Sequence, residues 1–206
     1  MERKPTKISI IGAGAVGSSV AFSIATQRLV AEIVIIDVNA EKAEGEAMDI
    51  SHGIITMGSM NIHSGSYADV VDSDLIIGTD PDSDRIGVLA RRNGEYIPIT
   101  GNQMGCLLLD YIINARRAAG TMPEHPAALS TIVSTTMVQR ICEMNDVHFE
   151  ATFTGFKFMA EKLAEYKAKG NYEYILAFEE SYGYMMGDYV RDKDAVTASM
   201  MAAEMA

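Results

Sequence analysis

Three carboxylates, Asp80, Asp82 and Asp84, stand at alternate positions directly after the apolar run Leu75-Ile76-Ile77. The stretch reads "SDLIIGTDPDSDRIGV" from Ser73 to Val88. A loop that gathers three carboxylate oxygens can wrap a hard divalent cation. Mg2+ suits it, because Mg2+ keeps water or phosphate oxygens for the rest of its octahedron. Asp80, Asp82 and Asp84 would be the ligands, and Arg85 would hold a neighbouring phosphate. On spacing alone, a solvated acidic turn is an equal alternative. An EF-hand is excluded, since the glycine and glutamate that its loop requires are missing from their places.

A second constellation lies upstream. "GAGAVG" puts Gly12, Gly14 and Gly17 in the G-x-G-x-x-G spacing. The first glycine makes a tight turn, the second lets backbone approach a pyrophosphate, and the third lets helix and strand pack closely. Asp37 sits at the end of the next apolar run, twenty residues past Gly17. A carboxylate there accepts from ribose hydroxyls and repels a 2′-phosphate, which favours NAD over NADP. The bland alternative is a glycine-rich strand-to-helix turn without a ligand.

These residues need elements to hold them. "KISIIGAG" predicts a strand entering the glycine turn, "AVGSSVAFSIATQRL" a helix and "AEIVIIDVN" a strand buried on both faces. "AEKAEGEAMDISHGIITM" starts helical with Asn39 as its N-cap. "MNIHSGS" reads as a third strand, "YADVVDS" as a helical turn and "DLIIGT" as a fourth strand. Such alternation implies βαβ units and a parallel sheet. The expected order is 3-2-1-4, with the aspartate loop and the glycine turn on one carboxyl edge.

After Asp84 the texture changes. Asn93-Gly94 between two apolar runs is a hairpin signal. "GNQMGCLLLDYIINARRAA" predicts a long helix, "LSTIVST" a strand, "TMVQRICEMND" a helix and "VHFEATFT" a strand. "GFKFMAEKLAEYKAKG" predicts a helix, "YEYILAFEES" a strand ending in two glutamates, and "DKDAVTASMMAAEMA" a last helix with no C-cap or tail. The second domain is therefore expected to be truncated at its C-terminus.

Composition narrows the classes. The chain has 206 residues, 48% of them hydrophobic, with a net charge of -11. Residues 1–79 carry 5 basic and 10 acidic side chains, and residues 80–206 carry 12 and 18. With both halves acidic and no basic stripe, nucleic acid and anionic membrane are not expected as partners. The basic residues before the first apolar run do not make a signal peptide, because that run is about five residues long and ends in glycines. Cys106 and Cys142 form no metal or redox spacing and read as reduced, packed thiols, with a cytoplasmic location expected.

The residues also carry two resemblances. "KISIIGAGAVGSSVAFSIATQRLVAEIVIIDVNAEKAEGEAMDISHG" resembles the start of the L-lactate dehydrogenases of the lactate/malate dehydrogenase family. The match runs from about Lys7 to residue 77 and implies an NAD-binding domain. That family continues into a small-residue loop, a catalytic arginine, a substrate-binding arginine and an Asp–His pair, none of which follows here. His52 lies in the wrong segment.

From about residue 74 to 206 the chain is similar to the α-D-phosphohexomutases, the phosphoglucomutase/phosphomannomutase family. "DLIIGTDPDSDRIGVLARRNGEYIPITGNQMGCLLLDYI" is similar to their metal loop and the start of the following domain. "TFTGFKFM" resembles a phosphosugar loop, which implies that Lys157 contacts the phosphosugar and serves in proton transfer. "FEESYGY" resembles the sugar-specificity loop, in which Glu179, Glu180 and Ser181 would hydrogen-bond hexose hydroxyls. Taken singly, Lys157 is more often a surface helix lysine and the glutamates a charged loop; the ordered set is what carries the resemblance. The family transfers phosphoryl through a phosphoserine on an earlier domain. Ser18, Ser19 and Ser23 do not match that serine.

The expectation is thus an α/β chain of two parents. Residues 1–100 would form a Rossmann-like NAD-binding half, joined near residues 73–79 to the Asp-rich metal loop and hairpin. Residues 101–206 would form a second α/β domain of phosphohexomutase type that binds sugar. Partial dinucleotide, Mg2+ and phosphosugar sites are expected without a complete catalytic cycle. The alternatives are a phosphohexomutase-like isomerising enzyme, a fragment of an NAD-dependent L-lactate dehydrogenase, and a scaffold without ligand. Cut interfaces would expose apolar surface, so self-association is expected.

Overall fold

Alternating apolar strands and helices give two sheets in the computed structural model, which describes residues 6–55 and 60–206. The basic residues ahead of the first strand, Arg3 and Lys4, lie outside the described residues. So do Thr56 and Met57 at the end of the second helical stretch.

The first unit opens with β1 (Lys7–Ile11), α1 (Ala15–Gln27), β2 (Glu32–Ile36), α2 (Ala40–Gly53) and β3 (Asn61–Ser64). A short 3-10 turn (Tyr67–Val70) leads into β4 (Leu75–Thr79), β5 (Ile86–Arg92) and β6 (Glu95–Ile99). The sheet order is β3-β2-β1-β4-β5-β6. The first four strands are parallel, in the 3-2-1-4 order that the sequence predicts; β5 pairs antiparallel with β4, and β6 antiparallel with β5. Ile8, Ile33, Val34 and Ile35 are fully buried, as covering both faces of a parallel sheet requires. Asn39 caps α2 by accepting from the Lys42 N–H at 3.1 Å. Asn93 (φ 53°) and Gly94 (φ 87°) turn the β5–β6 hairpin, the conformation in which Asn-Gly excels.

The segment around Ser73, where the sequence expectation puts a join, packs into a single core. Val34, Ile36, Val70 and Ile76 cluster with Ile11, Leu89 and Tyr96, so residues from both sides of the join share it. The single Tyr96 hydroxyl proton is shared between the Val70 carbonyl and the Ser73 carbonyl, the latter at 2.9 Å. Ser9 and Ser73 pair through their hydroxyls at 2.7 Å in the buried interior. The Arg91 N–H donates to the Asp74 carbonyl at 2.9 Å.

The second unit spans Thr100–Asp194. It comprises α3 (Gly101–Ala119), β7 (Pro126–Thr131), α4 (Met137–Met144), β8 (His148–Thr152), α5 (Phe156–Lys169), β9 (Glu173–Glu179) and β10 (Gly183–Met185). Its sheet order is β10-β9-β7-β8, with β10 antiparallel to β9 and the others parallel. Thr100 and Gln103 form a capping box at the start of α3, and Gly120 closes its end at φ 67°. Ala127, Leu129, Phe156, Met159, Tyr166, Ala177 and Met185 form one core cluster. Cys142 is buried in α4, and burial pushes its thiol up to about 12.

Two details depart from the sequence expectation, the end of β7 and the extra strand β10. The strand expected over 129–135 is β7 at 126–131; Ile132 and Val133 are instead 60% and 58% exposed beyond its end. The short strand β10 has no counterpart in the sequence pattern. The last helix, α6 (Ala195–Met205), groups by its contacts with the first unit. α6, which buries Ala195, Ala198, Ser199, Ala202 and Ala203, packs against α1, which buries Val20, Ala21, Ile24 and Ala25. Small residues on both helices permit that close approach.

Candidate functional site

At the carboxyl edge of the first sheet, β1 ends in a turn made by its glycines. Gly12 sits at φ 111°, and its N–H donates to the Ile36 carbonyl at 2.7 Å. The Ala13 N–H donates to Asp37 Oδ2 at 2.7 Å, and the Asn39 N–H to Asp37 Oδ1 at 2.8 Å. The amides of Asn39 and Ala13 hold the Asp37 carboxyl below the usual range. Gly17 lies so close to the turn that a Cβ there would stand 1.8 Å from the Gly12 carbonyl oxygen. A Cβ on Gly14 would meet nothing within 4 Å. Gly14 is also the N-cap of α1, with no side chain capping the helix. A helix N-terminus without a side-chain cap, opening from a glycine turn, is the arrangement that receives a phosphate. This cradle fits a dinucleotide pyrophosphate, and Asp37 retains lone pairs for ribose hydroxyls.

The aspartate loop joins β4 to β5, closing above the Thr79–Ile86 pair. Ligand oxygens of Asp80, Asp82 and Asp84 all lie within 4.8 Å of one another. Asp80 Oδ1 accepts from the N–H groups of Asp84 and Arg85, each at 3.2 Å. Ser83 takes φ 59° to make this inward wrap, and its N–H donates to the Asp80 carbonyl at 3.0 Å. Arg85 reaches Asp80 at 3.7 Å and Asp84 at 4.0 Å. Burial pushes the Asp80 carboxyl up, but the Arg85 amide, the Asp82 side chain, the Asp84 amide and the Arg85 charge together hold it below its usual value. Three hard oxygen donors on one short loop fit Mg2+.

The second unit brings its own residues together at the carboxyl ends of β7, β8 and β9. Glu179 is buried, and its Oε1 accepts from the Gly155 N–H at 2.5 Å. The Ser181 hydroxyl donates to the other oxygen of Glu179 at 3.3 Å. Thr131 donates to Glu180 Oε2 at 2.8 Å, and Ser134 to the same oxygen at 3.2 Å. Asn102 accepts from the Thr135 N–H at 2.9 Å and so ties this loop to α3. Lys157 is exposed on the first turn of α5, its ammonium 4.7 Å from the Phe158 ring centre. Glu179 thus braces the Gly155 turn that carries Lys157, while Glu180 and Ser181 stand at the loop's surface. Thr131, Ser134 and Asn102 escaped the sequence reading: they are ordinary polar residues, and only the fold shows what they hold.

The model of the phosphoglucomutase/phosphomannomutase α/β/α domain III matches residues 100–206. The chain belongs to that family. The model of the lactate/malate dehydrogenase NAD-binding domain matches residues 6–81. Among curated relatives, a phosphoglucomutase of Staphylococcus epidermidis is 37% identical over 130 residues, which are 63% of this chain and 23% of that protein. A phosphoglucomutase of Staphylococcus aureus is 39% identical over 125 residues, 60% of this chain and 22% of the relative. The chain thus spans less than a quarter of these relatives' length. A stretch of 130 residues that ends no later than 206 begins at or before residue 77, so it takes in the aspartate loop. The dehydrogenase match ends at residue 81. The two likenesses therefore overlap at the end of β4, where the sequence reading puts the join.

Solved structures of the family share the fold. A putative phosphomannomutase of Thermus thermophilus superposes with TM-score 0.60 at 17% identity, covering 91% of this chain and 46% of that one. A phosphoglucomutase/phosphomannomutase family protein of Burkholderia thailandensis gives 0.59 at 15%, covering 98% and 40%. The fold likeness extends through the first unit, where the matching family model is that of the dehydrogenases. No helix among the described residues is long and apolar enough to cross a membrane.

Proposed function

We propose that this is a two-parent α/β protein that binds three ligands and completes neither parent's reaction. A dinucleotide, NAD in preference to NADP, would lie on the Gly12–Gly17 turn with Asp37 on its ribose. Asp80, Asp82 and Asp84 would hold Mg2+, with Arg85 on a neighbouring phosphate. A phosphosugar would meet Lys157, Glu180 and Ser181 in the second unit, with Glu179 fixing the loop beneath. The observation that carries this reading is the overlap of the two likenesses on one strand, β4, whose flanking residues pack as one core.

When bound, Mg2+ supplies charge neutralisation at phosphate oxygens, and the nicotinamide supplies hydride chemistry. These 206 residues offer neither ligand a reacting partner. No serine matches the mutases' phosphoserine, and no Asp–His pair or carboxylate-binding arginine matches the dehydrogenases' set. Lys157 is a proton-transfer group only if a phosphoryl-bearing residue or a bisphosphorylated sugar joins it.

A coupled assay for conversion of glucose 1-phosphate to glucose 6-phosphate tests this, alongside calorimetric titration with glucose 6-phosphate. Heat of binding without turnover is expected. Turnover that appears when a trace of bisphosphorylated hexose is added would instead establish a mutase. Absence of both heat and turnover would remove the sugar site.

A further inference from the structure

Strand β1 pairs in parallel with β4, with Ile11 opposite Gly78. The next residues on β1 are Gly12 and Ala13, and those on β4 are Thr79 and Asp80. The glycine turn and the aspartate loop therefore leave the same sheet edge on neighbouring strands, which lie about 4.8 Å apart. β2, on the other flank of β1, is followed directly by Asp37. The site for an anionic ligand is thus bordered by carboxylates on both sides.

The charges do not cancel equally. Asp37 is faced by Lys42, whose field reaches it. Asp80, Asp82 and Asp84 bring three negative charges to their loop, and Arg85, which contacts Asp80 and Asp84, offsets one of them. A pyrophosphate adds further negative charge beside it. At a separation on the order of 10 Å their repulsion is several-fold in affinity at low salt, and a divalent cation removes it.

We propose that the aspartate loop gates the glycine turn: a divalent cation on Asp80, Asp82 and Asp84 is the condition for tight dinucleotide binding at Gly12–Gly17. This coupling rests on the reading above that both ligands bind. It has no counterpart in a chain that carries either motif alone, because it follows from one sheet edge holding both. Linkage makes it reciprocal, so the dinucleotide tightens the cation's binding by the same factor.

NADH titration of the full chain by calorimetry, in chelator and in Mg2+ at matched ionic strength, tests it. At about 0.01 M ionic strength, where the Debye length is roughly 30 Å, NADH should bind about fivefold or more tightly with Mg2+. Near 0.15 M the difference should shrink to about twofold. The triple variant D80N/D82N/D84N keeps the amide-accepting oxygens, and should bind NADH in chelator as tightly as the parent does in Mg2+. Should that variant fail to fold, Mg2+ titration of the parent with and without NADH gives the same factor. Equal NADH affinity in chelator and Mg2+ overturns the gating and leaves the dinucleotide site standing. No NADH binding under any condition, the triple variant included, removes the dinucleotide site itself and the gating with it.

Discussion

Replacing Gly17 by alanine should abolish NADH binding and destabilise the first unit by about 3 kcal/mol or more, at the upper end of what overpacking costs. The new Cβ would stand 1.8 Å from the Gly12 carbonyl oxygen, 3.0 Å from its carbon and 3.7 Å from the Ile10 side chain. The first two are backbone atoms and cannot rotate aside. Gly12 is already fixed at φ 111° with its N–H on the Ile36 carbonyl, so the strain must lift α1 off β1. Gly14→Ala separates this packing effect from ligand binding. Its φ of -79° suits any residue, and its Cβ would meet nothing within 4 Å. That variant should melt like the parent and still lose NADH, because the methyl occupies the space the pyrophosphate needs. Thermal unfolding and NADH titration of both variants check this. A Gly17→Ala protein with parental stability would contradict the turn geometry, and a Gly14→Ala protein with parental affinity would place the dinucleotide elsewhere.

Gly101→Ala should do comparable damage in the second unit and reach the sugar loop directly. Its Cβ would lie 2.0 Å from the Glu180 carbonyl oxygen, 2.8 Å from its carbon and 2.9 Å from the Tyr182 nitrogen. All three belong to the backbone of the turn between β9 and β10, where Tyr182 is already held at φ 70°. A loss of about 3 kcal/mol is expected, with loss of hexose phosphate binding as Glu180 and Ser181 shift. Gly105→Ala is the comparison. Its Cβ would strike the fully buried Phe178 ring at 2.3 Å, which costs stability through the core and leaves the Glu180 backbone untouched. At a temperature where both variants are folded, hexose phosphate binding should survive in Gly105→Ala and fail in Gly101→Ala. Calorimetric titration of the pair decides it.

Local pattern carried most of the first sheet. Apolar runs at Ile8–Ile11, interrupted only by Ser9, at Ile33–Ile36 and at Leu75–Ile77, separated by glycine turns and helical stretches, leave a parallel sheet as the economical way to bury them, and the observed order agrees. Asn93-Gly94 specified its hairpin through backbone conformation alone. Tertiary choices were not legible. Ile132 and Val133 are β-branched and read as strand, yet β7 ends at Thr131 because the chain turns there: the Ser134 N–H closes on the Thr131 carbonyl at 3.0 Å. α6 offers small residues to whatever helix accepts them, and nothing in its composition says that α1 does. At the sites, the chemistry-bearing types were visible from spacing and resemblance, whereas their supports were not. Nothing in the pattern told that Glu179 accepts from the Gly155 amide, or that Thr131 and Ser134 donate to Glu180. Side-chain direction at the end of a strand depends on the neighbouring loop, which a one-dimensional pattern does not contain.

If two parental sequences meet on β4 as proposed, they must make one cooperative α/β unit that binds both ligands. Calorimetric unfolding of the purified chain, alone and with NADH plus Mg2+, checks this. Ligand at a hundredfold its dissociation constant should add about 2.7 kcal/mol to the stability of the unit that binds it. A cooperative transition that moves upward with NADH and Mg2+ is the predicted result. A broad or absent transition, unmoved by either ligand, would contradict it.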